Sequence, residues 1–261
     1  MCETPQNFTI RVNGATIDTA ADHGFFCDRA FRRLDISGQM RRGENIIETE
    51  TLFSQSPEVY ENLRRARQFE SEKNKLTFDH EIEALYLVGH FGVRCDGTFK
   101  KSTHASSVFD GRFVLTAPPR ALTLTHIERQ GFPFFAGELT LRRTYPAEAG
   151  GEHPSFRFNK AGINVVRLSL NGKPIGTRLW EPYVFDLSDG WNRSGENTVE
   201  VTLVNNLRNL LGPHHNAEGE SYAVSPPSFF EEGCIWNGFR PGAYVPTYNF
   251  IETSLVREED D

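Results

Sequence analysis

Apolar and polar residues alternate along the stretch from Asn164 to His214 in the manner of half-buried β-strands. The segments NVVRLSLNG, YVFDLS and NTVEVTLVNN place Val, Leu and Phe on one side and polar residues on the other. The joints carry Asn171-Gly172 and Gly195-Glu196-Asn197, which favour tight turns because Gly and Asn tolerate positive φ. This stretch therefore predicts an antiparallel β-sheet.

A weaker copy of this pattern lies near the N-terminus, where strand-like segments and turn motifs recur in the same order. The corresponding pairs are Asn13-Gly14 with Asn171-Gly172, Leu34-Asp35-Ile36-Ser37 with Phe185-Asp186-Leu187-Ser188, and Gly43-Glu44-Asn45 with Gly195-Glu196-Asn197. Three matching motifs in one order indicate an internal repeat of domain size, not a short solenoid repeat. We therefore expect two β-sandwich domains of one type.

The first copy is interrupted and shortened. Ser56, Pro57 and a helical spacing of apolar residues predict a helical insertion over 57–72. The Pro118-Pro119 pair marks the predicted boundary between a first sandwich over 1–120 and a second over 121–261. Strands precede Asn171 in the second copy, but almost nothing precedes Asn13 in the first. Missing strands leave unpaired edges, so we expect either a longer polypeptide or a partner that supplies them.

Charge and hydropathy narrow the range of partners. The formal net charge is −7 and no basic stripe runs along the chain, so nucleic acid is not an expected partner. No apolar run approaches the roughly 20 residues of a membrane span. The opening MCETPQNFTI does not have the pattern of a signal peptide, which leaves the cellular location open. A neutral, hydroxyl-rich ligand is compatible with this composition.

The four cysteines do not form a recognisable site. Cys2, Cys27, Cys95 and Cys234 are far apart and include no CxxC pair, so neither a zinc site nor a disulfide framework is expected. We expect free thiols, although a bridge between Cys27 and Cys95 stays open.

The sequence also contains no GxSxG, no P-loop and no GxGxxG leading into a helix, so a hydrolase triad or nucleotide site has no support.

A polar cluster follows the last strand of the central stretch. Its members are Arg208, Asn209, His214, His215, Glu218 and Glu220. Arg and Asn form planar hydrogen bonds with sugar hydroxyls, and His adds a donor or an acceptor. The alternative is a buried network that holds the loops of the final Gly-, Pro- and aromatic-rich segment.

A metal site at this cluster is disfavoured, because the adjacent histidines His214 and His215 point apart on an extended chain. A structural calcium held by loop oxygens has no sequence signature here, but it stays compatible with the chain.

Aromatic platforms and paired carboxylates are the other features that glycan chemistry requires. Trp180, Trp191 and Trp236 could stack on a sugar face, with core packing as the alternative for each; Trp191 lies in a DGWNRSG loop where exposure is plausible. Glycoside hydrolysis needs two carboxylates beside the sugar. The candidates are Glu81, Glu83, Glu218 and Glu220, with surface solvation as the alternative, and we predict no catalytic residue.

The central stretch resembles the galactose-binding-like jelly-roll domain of family 2 glycoside hydrolases and related enzymes. Four features of that domain occur in order: Asn171-Gly172, Pro182-Tyr183, Asp186-Leu187-Ser188 and Gly195-Glu196-Asn197. The segments EIEALYLVGHFGV, GFPFFAG and RNLLGPHH are similar to C-terminal regions of large bacterial glycosidases, including rhamnosidase-like enzymes. Those enzymes carry an acidic residue where this chain has His90. The resemblance implies a non-catalytic sandwich attached to a glycosidase barrel, and 261 residues of this type leave no room for that barrel.

We therefore predict an all-β chain of two tandem galactose-binding-like jelly-roll sandwiches that needs no cofactor. Its expected role is to bind glycan, or to act as a scaffold, beside a catalytic domain of the same polypeptide or of a partner subunit. The alternatives are a stand-alone carbohydrate-binding protein and a glycosidase that uses Glu218 or Glu220. The candidate binding residues are Trp191, Arg208, Asn209, His214, His215, Glu220 and Trp236.

Overall fold

The computed structural model confirms the all-β prediction. It describes residues 1–82, 84–103, 105–217, 219–220, 230–231, 235–236 and 244–257. Only the backbone is described for 159–161, 230–231, 235–236 and 257. The chain divides into two compact units, Met1–Gly89 (unit 1) and His90–Asp261 (unit 2). In the part of the chain that is described, no helix has the length and apolar character to span a membrane.

Unit 1 contains a small antiparallel sheet and the helical insertion. Its strands are β1 (Thr9–Val12), β2 (Ala15–Thr16), β3 (Phe25–Phe26), β4 (Asp28–Arg32) and β5 (Ile47–Glu50). Three of them form a sheet in the order β2-β1-β5, and β3 pairs with β4. Helices α1 (Pro57–Ala66) and α2 (Glu70–Lys73) confirm the insertion predicted over 57–72. The Ser56 side chain makes no capping bond; instead, the Ser56 N–H donates to Asp79 Oδ2 at 2.7 Å.

Unit 2 is a larger sandwich. Its strands are β6 (Gly92–Lys101), β7 (Ser106–Thr116), β8 (Gly137–Tyr145), β9 (Ser155–Ala161), β10 (Val165–Leu170), β11 (Lys173–Arg178), β12 (Tyr183–Asp186), β13 (Asn197–Asn205), β14 (Phe230–Glu231), β15 (Ile235–Trp236), β16 (Tyr248–Ile251) and β17 (Leu255–Arg257). A short helix, α3 (Arg208–Leu211), follows β13. The main sheets run β11-β10-β13-β8, β12-β9-β17 and β16-β7-β6, with all pairings antiparallel.

The alternation in β13 produces the core of unit 2. Asn197, Val199, Val201 and Leu203 are buried, whereas the residues between them are half-buried. The three apolar residues of this set pack with Leu168 and Leu170 of β10, Phe156 and Phe158 of β9, and Phe185 and Leu187 in and after β12. Burial of apolar area at roughly 25 cal/mol per Å² makes this the main stabilising contribution of the unit.

The boundary between the compact units falls earlier than the Pro118-Pro119 pair. The strand predicted over 109–119 as the end of the first sandwich belongs to β7, which pairs with β16 near the C-terminus as well as with β6. Both β6 and β7 therefore lie in unit 2 with the closing strand. Sequence order suggested the other assignment because β6 and β7 form a hairpin, which is local in sequence, whereas the pairing with Tyr248–Ile251 is not.

The internal repeat is visible in matching hydrogen bonds. Asn13 and Asn171 both follow a strand with positive φ, at 52° and 51°. Asn13 Nδ2 donates to Asn45 Oδ1 at 2.9 Å, and its Oδ1 accepts from the Ile46 N–H at 3.0 Å. Asn171 Nδ2 donates to Asn197 Oδ1 at 3.0 Å, and its Oδ1 accepts from the Thr198 N–H at 2.9 Å.

The second turn motif repeats in the same way. Ser37 N–H donates to Asp35 Oδ1 and Ser188 N–H donates to Asp186 Oδ1, each at 2.9 Å. This turn contact lowers the pKa of both aspartates, because hydrogen bonds from the serine stabilise the carboxylate. The two asparagine-centred turns therefore occupy equivalent places in the two units, and the repeated motifs hold turns together.

The two sheets of the repeat differ in one strand. β1, β2 and β5 correspond to β10, β11 and β13, with Val12 opposite Ile47 and Leu170 opposite Val199. β13 has a further neighbour, β8, along nine residue pairs. Within the described residues of unit 1, no strand pairs with the corresponding edge of β5. That the first copy lacks opening strands stays a prediction.

Candidate functional site

The chain leaves the main sheet of unit 2 where β13 ends at Asn205. Asn206 N–H donates to Asn164 Oδ1 at 3.0 Å, which ties the end of β13 to the start of β10. Asn206 Oδ1 in turn accepts from the Arg208 N–H at 2.9 Å, and α3 begins at Arg208. A side-chain oxygen that accepts from a backbone N–H two residues later is the usual way in which asparagine starts a turn.

A groove of about 320 Å³ lies at this end of the sheet. Its polar lining residues are Asn164, Asn205, Asn206, Arg208, Asn209 and Glu220, and Gly162, Ile163 and Ile251 complete the wall. Three of the candidate residues predicted from the sequence, Arg208, Asn209 and Glu220, are therefore brought together here.

Arg208 and Glu220 form an ion pair in the groove. Arg208 Nε and Nη2 donate to Glu220 Oε2 at 3.1 and 2.5 Å, and the two side chains are only 16% and 23% exposed. The pair holds the loop that contains Glu220 against α3. Arg208 Nη1 is buried and has no hydrogen-bond partner among the described residues. An unpaired buried N–H group is costly, so Nη1 is a donor of the groove wall that no described residue satisfies.

Three asparagines of the groove, Asn164, Asn205 and Asn206, keep part of their hydrogen-bonding capacity unused. Asn164 and Asn206 use their side-chain oxygens for the contacts above, and Asn205 Oδ1 accepts from the Asn206 N–H at 2.9 Å. Within the described part of the chain, nothing accepts from the Nδ2 groups of these three residues. The groove therefore offers several amide donors beside the Arg208–Glu220 pair. Such an array suits ligands with many hydroxyl groups.

Asn209 has a structural task in addition to its place in the groove wall. It is 1% exposed, its Nδ2 donates to Ile251 O at 2.9 Å, and its Oδ1 accepts from the Ile251 N–H at 2.8 Å. The side-chain amide of Asn209 thus pairs with both backbone groups of Ile251, as a neighbouring strand would do at this position of β16. Asn209 therefore fixes the wall against which a ligand would rest.

His214 and His215 lie outside the residues that line the groove. The ring nitrogens of His214 lie 3.2 Å from Asn249 O and 3.4 Å from Leu210 O. Nδ1 of His215 lies 3.0 Å from the carbonyl oxygens of both Val245 and Thr247. Both rings also pack against Tyr248. These contacts connect α3 to the segment around β16. They agree with the alternative interpretation of the polar cluster, a network that holds the loops of the final segment.

The environment of His214 predicts a pH effect on stability. Burial lowers its pKa from the ordinary value of 6.5, because the charged form loses hydration. The unfolded chain then binds a proton at His214 that the folded chain does not, so the contribution of this group to stability is fully present above pH 6.5 and is lost as the pH decreases below it. We expect the free energy of unfolding to decrease between pH 7.5 and 5.5 in denaturant titrations.

Two variants test whether His214 causes this change of the free energy of unfolding with pH. His214→Gln should flatten the pH dependence, whereas His153→Gln, at an exposed position, should leave it unchanged. An unchanged slope in His214→Gln, or stability that rises as the pH falls, would contradict the assignment.

Trp180 and Trp191 are not among the residues that line this groove. Trp191 is only 6% exposed, and its Nε1 donates to Ala147 O at 2.8 Å, so the exposure that its loop suggested is wrong. Trp180, for which core packing was the alternative, is 73% exposed between β11 and β12. Trp236 belongs to β15, but its side chain lies outside the described residues.

The remaining candidate groups are scattered. Glu81 is exposed in unit 1, and Glu83, Glu218 and Cys234 lie outside the described residues. Cys27 and Cys95 are free thiols. Burial, with smaller contributions from Asp96 and Glu128, raises the pKa of Cys95 to about 11. Within the described residues, no three His, Cys, Asp or Glu side chains converge on a point that suits a metal ion.

A buried charged network contacts Thr253, two residues after Ile251. Glu128 is fully buried, and its Oε2 accepts from the Thr253 N–H at 2.9 Å. Its Oε1 lies 3.2 Å from Arg129 Nε and 3.2 Å from His126 Nδ1. Arg129 Nη2 also donates to Ser107 Oγ at 2.7 Å. We did not predict this network, because its three ionisable members match no motif and their partners Ser107 and Thr253 are distant in sequence.

Comparisons with known proteins give distant similarities to segments of solved structures. No family model matches the sequence, and no curated protein matches it. Among solved structures, a Bifidobacterium dentium β-glucuronidase is 16% identical over 47% of this chain, with a TM-score of 0.26. A rhamnosidase from a Novosphingobium species is 16% identical over 63%, with a TM-score of 0.29. A β-D-glucuronidase from Dictyoglomus thermophilum is 14% identical over 65%, with a TM-score of 0.25. The matches cover 22%, 16% and 29% of those three proteins, respectively.

Proposed function

We propose that this chain is a non-catalytic carbohydrate-binding module and that unit 2 carries the binding site. The observation that supports this proposal is the groove at the end of β13, with its amide donors and the Arg208–Glu220 pair. Sugars present arrays of hydroxyl groups that both donate and accept hydrogen bonds. Asn, Arg and Glu side chains together supply both functions within one small concave surface.

The charge of the groove favours a neutral glycan. Arg208 is the cation among the lining residues and Glu220 is the anion, and they neutralise each other at hydrogen-bonding distance. Among the described lining residues, a phosphate or a uronate would meet no surplus positive charge, whereas a hydroxyl group could accept from the Nδ2 groups of Asn164, Asn205 and Asn206. We therefore expect a neutral oligosaccharide to bind better than an acidic one of equal length.

The sequence resemblance also suggests which kind of domain this module accompanies. Residues 121–210 are similar to the sugar-binding domains of family 2 glycoside hydrolases, so we propose that the module works beside a catalytic domain of the same polypeptide or of a partner subunit. A scaffold role without a ligand is the second candidate. It is favoured by the number of groove contacts, such as those of Asn209, that also hold the fold together.

Calorimetric titration of the full chain with a panel of neutral and acidic oligosaccharides tests the proposal. The variant Arg208→Ala removes the central donor, and we expect it to weaken binding by at least about tenfold, because hydrogen bonds to charged groups contribute about 1.5–3 kcal/mol. Arg208→Lys keeps the charge but not the paired N–H groups, so it should recover only part of the affinity.

Arg167→Ala is the matched control, because this arginine pairs with Glu138 at 2.7 Å elsewhere in unit 2 and does not line the groove. It should bind as the wild type does. No heat of binding from any glycan in the panel, with all variants folded, would favour the scaffold role. Equal losses in Arg167→Ala and Arg208→Ala would place the site elsewhere.

A further inference from the structure

The open edge of β5 in unit 1 corresponds to a filled edge in unit 2. Glu48 is the counterpart of Glu200, since each lies three residues after the asparagine that closes the equivalent turn. Glu200 is opposite Arg142 of β8, and Arg142 Nε donates to its Oε1 at 2.8 Å. Glu48 is exposed, and no side chain in the described part of unit 1 donates to its carboxylate.

The backbone of β5 is also open on this side. Asn13 N–H donates to Ile46 O, so alternate residues from Ile46 onward direct their backbone groups toward β1. Ile47 and Thr49 then direct their N–H and C=O groups away from β1, toward the side where no described strand lies. Thr49 is exposed, which leaves room beside it. An edge of this kind accepts a further strand.

We propose that the β5 edge is a docking site for one extended polypeptide segment, which adds antiparallel as the counterpart of β8. The segment carries an arginine or lysine opposite Glu48, and apolar residues at the alternate positions that face Ile47 and the small core of unit 1. In β8 these roles belong to Arg142 and to Leu139 and Leu141, which pack against the core of unit 2.

The charges of β5 disfavour a second copy of the same edge as the occupant. Two β5 strands in antiparallel contact would bring Glu48 and Glu50 of each copy close together. Like charges across a strand pair are destabilising. A basic, alternating segment instead gains a cross-strand ion pair of the Arg142–Glu200 type. The exposed Leu52 and Phe53, which follow β5 after Thr51, offer it further apolar contact.

A labelled peptide with the sequence of β8, Gly137–Tyr145, provides the probe. Fluorescence anisotropy with the full chain should show saturable binding. Changing Arg142 of the peptide to Glu should weaken binding by about fivefold, from the loss of one cross-strand ion pair. The chain variant Glu48→Arg should reverse this preference, so that the Glu-containing peptide becomes the better ligand.

Two further measurements separate edge addition from binding elsewhere. Thr49→Pro removes an outward N–H while an edge strand tolerates proline, so it should abolish binding with an unchanged far-UV CD spectrum. In the wild-type chain, the peptide should slow amide hydrogen exchange at Ile47 and Thr49 but not at Glu48.

Several outcomes would overturn the proposal. They are absence of peptide binding to the wild-type chain, equal affinity for both peptides with wild type and Glu48→Arg, and unchanged binding to a folded Thr49→Pro variant. A homodimer that sediments as such without peptide and is dispersed by Thr49→Pro would assign the edge to a second copy instead.

Discussion

The variant Asn197→Ala is expected to lower the free energy of unfolding of unit 2 by about 3 kcal/mol, the range for unpairing several buried polar groups. Asn197 is fully buried. Its Oδ1 accepts from Asn171 Nδ2 at 3.0 Å and from the Asn192 N–H at 2.7 Å, and its Nδ2 donates to Asn192 O at 2.9 Å. Alanine at this position removes all three hydrogen bonds and leaves their partner groups unpaired. Denaturant titration followed by tryptophan emission measures the change, because all three tryptophans lie in unit 2.

The repeat supplies a matched control at Asn45. Its Oδ1 accepts from Asn13 Nδ2 at 2.9 Å and from the Arg41 N–H at 2.8 Å, and its Nδ2 donates to Arg41 O at 2.8 Å, so the three contacts are equivalent to those of Asn197. Asn45 is only half-buried, and water can replace what alanine removes. We expect Asn45→Ala to cost about 1 kcal/mol, measured by far-UV CD. Equal costs for the two variants would show that burial does not set the strength of this turn.

Glu128→Ala is expected to cost a similar amount, about 3 kcal/mol, since it removes one partner of a buried ion pair. Arg129 would lose the carboxylate at 3.2 Å, and the Thr253 N–H would lose its acceptor. Arg129 is 34% exposed and keeps its contact with Ser107 and its position over the Phe99 ring, which limits the loss. Tryptophan-monitored denaturation again measures it.

Glu138→Ala is the control for that variant, because Glu138 pairs with Arg167 at a distance of 2.7 Å with more than half of its side chain exposed. Exposed pairs contribute about 0–1 kcal/mol, so this variant should unfold nearly as the wild type does. If Glu128→Ala and Glu138→Ala shift the midpoint equally, the Glu128 network is not a significant source of stability.

The features predictable from the sequence are local ones. Asn-Gly joints, alternation and the Asp-x-Ser turns depend on residues close together in the chain, and the turns at Asn13 and Asn171 have the predicted equivalence. The helical insertion is also local, and α1 begins at the predicted Pro57. Such local signals predict the structure correctly because backbone preference and local hydrogen bonding agree with the final packing.

The groove depends on contacts that no local pattern contains. Asn164 meets Asn206 across 42 residues, and Asn209 meets Ile251 across 42 residues. The polar cluster after β13 did indicate Arg208, Asn209 and Glu220, but the contribution of Asn164, Asn205 and Asn206 was missed. A run of asparagines directly after an alternating strand was the available signal. It was ambiguous, because asparagine also ends strands for conformational reasons alone.

The tryptophans show why loop composition is a weak guide to exposure. Trp191 is surrounded in sequence by Asp, Gly, Asn and Arg, yet its indole fills the core and donates to Ala147 O. Trp180 follows a strand, yet it is exposed. Packing against distant segments decides both positions, and those segments are not recognisable from the neighbouring residues.

The most direct test of the central claim is a nuclear magnetic resonance titration that observes the side-chain amides of the groove. The ligand is the neutral oligosaccharide that gives the strongest heat of binding in the calorimetric panel. If the groove binds it, the Nδ2 resonances of Asn164, Asn205 and Asn206 should shift together with the Arg208 Nε resonance. The turn amides of Asn171 and Asn197 should stay in place. Shifts confined to residues away from β13 and α3, or no shifts at saturating glycan, would contradict the assignment of this groove as the carbohydrate site.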